Sequence, residues 1–68
     1  MGFNAKEFNS CLLDRNFTYK ALADEMHIKE QTLKNKINRN GDFTYKDIVI
    51  IQKTLNLNHV ELLKIFFE

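Results

Sequence analysis

The sequence predicts an all-α fold: one compact domain, residues 1–68, built from five short helices. A single local frame occurs five times, with an apolar residue before a capping position and a second apolar residue five places after the first. Behind each frame apolar residues repeat at helical spacing, and proline, which would interrupt them, is absent.

The first frame, Phe3-Asn4 leading to Phe8, opens a helix over roughly Asn4 to Arg15. Glu7 stands at its third position as a capping-box acid, and Phe8, Cys11 and Leu12 form its inner face. The second frame, Phe17-Thr18 to Leu22, opens roughly Thr18 to Met26, with Leu22, Ala23 and Met26 inward. The third runs from Ile28 to Leu33 and opens Lys29 to Asn38, with Leu33 and Ile37 inward. Its cap position is Lys29, which has donors and no acceptor and therefore cannot cap. Phe43-Thr44 to Ile48 opens Thr44 to Leu55, with Ile48, Ile51 and Leu55 inward. The run Ile48-Val49-Ile50-Ile51 also suits a buried strand, but the cap before it and the continuation through Gln52-Lys53-Thr54-Leu55 favour a helix. Finally Leu57-Asn58 to Leu62, with Glu61 as capping acid, opens Asn58 to Phe67, with Leu62, Ile65 and Phe66 inward.

Composition narrows the function. At 44% hydrophobic the chain is too apolar for disorder, yet its longest apolar run is far too short to cross a membrane. The N-terminus lacks the basic and apolar segments of a leader, and the single Cys11 excludes an intramolecular disulfide, so a cytoplasmic protein is expected. His27 and His59 lie far apart, which argues against a zinc site. Cys11 falls on an apolar face, neither histidine has an evident nucleophile or carboxylate partner, and no glycine-rich phosphate loop is present. No enzyme, cofactor, metal or small-molecule ligand is expected. The net charge of +1 says little, but between Lys29 and Arg39 four basic residues meet the single acid Glu30. Such a run is either a solvated helix face or a contact with a polyanion.

The tetrapeptide Phe-Thr-Tyr-Lys occurs twice, at Phe17 to Lys20 and at Phe43 to Lys46. The residues that follow share apolar placement without identity, so a duplicated module is not indicated. Staple and cap account for Phe and Thr, and only Tyr and Lys are left for contact with a partner.

The stretch from Thr18 to Asn38, TYKALADEMHIKEQTLKNKIN, resembles the helix-turn-helix of phage Cro and repressor proteins, the xenobiotic-response-element class. Ala23 stands where that family has a small residue at the helix crossing, and Met26, Ile28, Leu33 and Ile37 stand at its apolar positions. The ending from Gly41 to Glu68 looks like the C-terminal helices of small phage regulators of Gram-positive hosts. The resemblance implies a lambda-repressor-like DNA-binding fold whose third helix enters the major groove with its N-terminal part against the base edges. Lys29, Glu30, Gln31, Lys34 and Asn35 would then read bases, with Glu30 either accepting from cytosine or holding a neighbouring lysine. Thr18, Tyr19, Lys20, Thr44, Tyr45 and Lys46, at the starts of the second and fourth helices, would bind phosphate, with Lys36, Arg39 and Asn40 along the strand beyond. The chain departs from the family at Tyr19, usually Gln, at His27, usually Gly, and at Lys29, often Ser, Thr or Asn. His27 is either a strained turn residue or a backbone contact.

The last helix carries a second apolar stripe, Val60, Leu63 and Phe67. A two-fold dimer reading a palindromic operator would cover it; otherwise it folds onto the first helix or stays exposed. The expected function is that of a dimeric, sequence-specific double-stranded DNA-binding transcriptional regulator in the bacterial host cytoplasm, repressing by promoter occlusion. The competing reading is a phage antirepressor, antitoxin or inhibitor that uses the same scaffold to grip a protein.

Overall fold

Each helix begins where its capping frame places it. The computed structural model describes residues 2–67, which form α1 (Ala5–Asp14), α2 (Tyr19–Glu25), α3 (Glu30–Asn38), α4 (Tyr45–Leu55) and α5 (His59–Phe66). Among the described residues there is no strand, so the Ile48 to Ile51 run is helical as its cap indicated.

Side-chain oxygens accept first-turn N–H groups at four of the five starts. Asn4 takes the N–H of Glu7 at 3.0 Å, Thr18 that of Ala21 at 3.0 Å, Thr44 that of Asp47 at 3.1 Å and Asn58 that of Glu61 at 2.8 Å. Lys29 makes no such bond at α3. Glu61 returns to the Asn58 N–H and completes the expected box at 3.0 Å. Glu7 does not return to Asn4, because the Asn4 N–H donates to the Ile65 carbonyl at 2.7 Å and ties the start of α1 to the end of α5. Asp47 completes an additional box by accepting the Thr44 N–H at 3.1 Å.

Three of the connections share one geometry. A left-handed residue ends the helix, an apolar residue follows, and the next residue caps the next helix: Asn16-Phe17-Thr18, His27-Ile28-Lys29 and Asn56-Leu57-Asn58, with φ of 53°, 59° and 53° at the first position. The middle N–H donates back across the last turn, Phe17 to Leu12 O at 2.9 Å, Ile28 to Ala23 O at 3.0 Å and Leu57 to Gln52 O at 3.0 Å. One apolar residue thus closes one helix and staples the next. The α3–α4 connection is longer and turns at Asn40 (φ 62°) and Gly41 (φ 77°). A Cβ on Gly41 would stand 2.3 Å from Cβ and Cγ of Phe3, so no other residue fits under that ring.

Phe3 also packs on Phe8 at 5.4 Å, Phe43 at 5.5 Å and Phe66 at 5.8 Å between ring centroids, joining the two chain ends to the α3–α4 connection. The core contains most of the expected inner faces, from Phe8, Cys11 and Leu12 to Ile65 and Phe66. Ile37, Ile48 and Leu62 are only half-buried at its rim, whereas Leu57, expected only as a staple, is buried at 3% exposure. Its double role at the joint turns it inward.

Arg15 supplies a polar tie that crosses the core edge. Its guanidinium donates to the Leu55 carbonyl at 2.6 Å, to the Cys11 carbonyl at 3.2 Å and to both Glu61 oxygens at 2.9 and 3.1 Å, linking α1, α4 and α5. The Asn58 N–H, and after it this guanidinium, hold the Glu61 carboxyl below the usual carboxylate range. Burial, aided by the nearby Glu61 charge, pushes the Cys11 thiol up and keeps it protonated. Among the described residues no helix is long and apolar enough to cross a membrane.

Candidate functional site

The site is built on α2 and α3, which pack on each other across the turn at His27. Ala23 is buried on α2 and its carbonyl accepts the Ile28 N–H at the turn, and Leu33 anchors α3 in the core. Anchoring Leu33 turns Gln31 and Asn35, on the opposite side of α3, to solvent and leaves Lys34 half-exposed on its flank, while Lys29 and Glu30 are exposed at the helix start. Glu30 holds Lys34 at 3.4 Å, and Gln31 Nε2 donates to Asn35 Oδ1 at 3.0 Å. Pairs of this kind on a helix surface contribute only about 0.3–0.5 kcal/mol. A ligand with better partners can therefore open them. Lys29 and His27 are both exposed at the turn, so the two residues that depart from the other joints stand together at the head of this face.

The two Phe-Thr-Tyr-Lys copies divide by residue. Both phenylalanines pack against the core, both threonines cap, and Lys20 and Lys46 are both exposed. The tyrosines differ. The Tyr19 hydroxyl donates to Asn9 Oδ1 and fastens α2 to α1. Tyr45 is 83% exposed and stands at a groove between α4 and α5 with Ile48, Val49, Leu62 and Phe67. Beyond α3, Arg39 and Asn40 are exposed, but Lys36 turns inward to Asp47, with Nζ 3.3 Å from Oδ2. Of the expected phosphate candidates, Lys20, Arg39, Asn40, Tyr45 and Lys46 are thus open, whereas Thr18, Thr44, Tyr19 and Lys36 are engaged within the chain.

Asp47 and Asn9 were not among the expected site residues. The Thr-x-x-Asp spacing at Thr44 signals the Asp47 cap, but nothing local signals its pairing with Lys36 or that of Asn9 with Tyr19. The second stripe of α5 does not fold onto α1: Val60, Leu63 and Phe67 are 58, 43 and 47% exposed. Comparison with protein-family models, with curated proteins and with solved structures gives no match.

Proposed function

We propose that this protein is a non-enzymatic, sequence-specific double-stranded DNA-binding regulator of the Cro and repressor type, acting in the cytoplasm of a bacterial host. The single observation that carries this reading is the α2–α3 joint. It has the same backbone as two others, yet its left-handed and cap positions hold exposed His27 and Lys29 where the others hold Asn and Thr or Asn. Local rules fail where function needs the position. A helix whose cap position offers a cation instead of an acceptor suits a polyanion with acceptor-rich base edges.

In this reading α2 and α3 form the helix-turn-helix, and α3 lies in the major groove with Lys29, Gln31 and Asn35 toward the bases. Lys34 exchanges Glu30 for a base or phosphate oxygen, because the surface pair it leaves is weak. Lys20 and Lys46 hold the backbone on either side, and Arg39 holds it beyond α3. A dimer forms through Val60, Leu63 and Phe67 beside the α4–α5 groove. The groove is lined mostly by apolar side chains, Ile48, Val49, Leu57, Leu62 and Phe67 among them, which suits burial against a second copy. The regulator then represses by occluding a promoter.

The same exposed apolar surface favours the second reading, a regulator that grips a protein. Selection of duplexes from a random-sequence pool near physiological salt separates the two. Enrichment of an inverted repeat, with half-sites about 34 Å apart, supports the DNA reading. No enrichment by folded protein, with any residual binding insensitive to salt, replaces it with protein binding.

A further inference from the structure

Lys36 stands on α3 among residues that face outward, but its ammonium is committed. Its Nζ lies 3.3 Å from Asp47 Oδ2 and 3.4 Å from the Asp42 carbonyl oxygen, with the two side chains 24 and 18% exposed. The same Asp47 oxygen accepts the Thr44 N–H at 3.1 Å. An exposed ion pair opens at little cost. This one is largely shielded, and the cap of α4 fixes the carboxylate where the ammonium meets it.

We infer that Asp47 withholds the Lys36 charge from the DNA backbone, an inference that rests on the DNA-binding reading above. The carboxylate already provides what a phosphate would offer, an anionic oxygen at ion-pair distance from the ammonium in a partly desolvated place. A phosphate that took Lys36 would release a counterion but leave Asp47 unpaired beside a polyanion. The exchange is unfavourable. Lys20, Arg39 and Lys46 meet no such competitor, being exposed and in no ion pair with the described residues. Asp47 is therefore a positioning residue that acts through Lys36 and lowers the number of phosphates the protein neutralises.

The test is the salt dependence of binding to the duplex enriched by selection, for the wild type, Lys36→Met, Asp47→Asn and the double variant. Asparagine keeps an oxygen for the Thr44 N–H, and Asp47→Ser repeats the test with a shorter acceptor. Lys36→Met is expected to leave the log–log slope unchanged, Asp47→Asn to steepen it by about one, and the double variant to return it to the wild-type value. A slope that falls by about one in Lys36→Met alone, or a steepening that survives in the double variant, would overturn the inference, as would an unchanged slope in both Asp47 variants. A purely structural role shifts the thermal melt, recorded in parallel, and leaves the slope alone. Failure of the folded wild type to retain any duplex is a different result, since it removes the DNA-binding reading itself.

Discussion

At the α4–α5 joint Asn56 takes the left-handed position, Leu57 is buried and Asn58 closes a capping box with Glu61. The α2–α3 joint has the same backbone path, but its three places hold an exposed histidine, a half-buried isoleucine and a lysine that caps nothing. Asn16-Phe17-Thr18 between α1 and α2 shares the left-handed asparagine and the side-chain cap of the α4–α5 joint, although Phe17 is half-buried. Backbone geometry is therefore available to this chain with side chains that stabilise it, and at one joint they are missing. Where the same turn is made three ways, the way that forgoes stability is the one to examine for binding.

The largest expected effect concerns the apolar residue of each joint. Leu57→Ala is expected to cost about 2–5 kcal/mol in urea denaturation, and Ile28→Ala clearly less, because only Leu57 is buried. Equal losses would break the comparison at its core position.

The caps come next and should act with opposite signs. Asn58→Ala removes an acceptor and should cost about 1 kcal/mol, whereas Lys29→Asn supplies one and should stabilise by about the same amount. On DNA, Lys29→Asn is expected to weaken binding of the selected duplex. Unaltered affinity would take Lys29 out of the base-reading set.

Replacement of the left-handed residues by glycine tests the remaining position. His27→Gly should stabilise by up to roughly 1 kcal/mol and Asn56→Gly by less, since asparagine tolerates that conformation through local hydrogen bonds. If His27→Gly gains stability and keeps full DNA affinity, the histidine is a strained turn residue and no contact.

The smallest effect is in acid. Glu61, held low by the Asn58 N–H and then by Arg15, contributes stability above its unfolded pKa of about 4.3. That contribution is lost as pH falls through the lower folded value. Thermal melts of Glu61→Gln should therefore decline less steeply below about pH 5 than those of the wild type. Parallel declines would free the α4–α5 joint from any acid linkage.

The helix starts were legible because a staple and a cap lie within five residues of one another, as Phe17, Thr18 and Leu22 do. The failed cap at Lys29 was legible for the same reason. Asn16 and Asn56 before apolar residues also carry a local signal, that of a left-handed helix end. Arg15 on Leu55 and Glu61, Tyr19 on Asn9 and Lys36 on Asp47 carry none, since each pair joins different helices. The candidate surface of α3 was therefore readable, but which of its cations are free was not.

By itself the sequence determined five helix starts, the helical state of Ile48 to Ile51 and the outward face of α3, all consequences of dihedral preferences and hydrogen bonds between near neighbours. Only the tertiary structure decided that Glu7 leaves its box open because the Ile65 carbonyl takes the Asn4 N–H. It also decided that one tyrosine of the repeated tetrapeptide is fastened and the other free, and that Lys36 spends its charge on Asp47. Partners of that kind depend on where packing brings distant groups, and a short polar side chain takes whichever donor or acceptor the fold puts within reach.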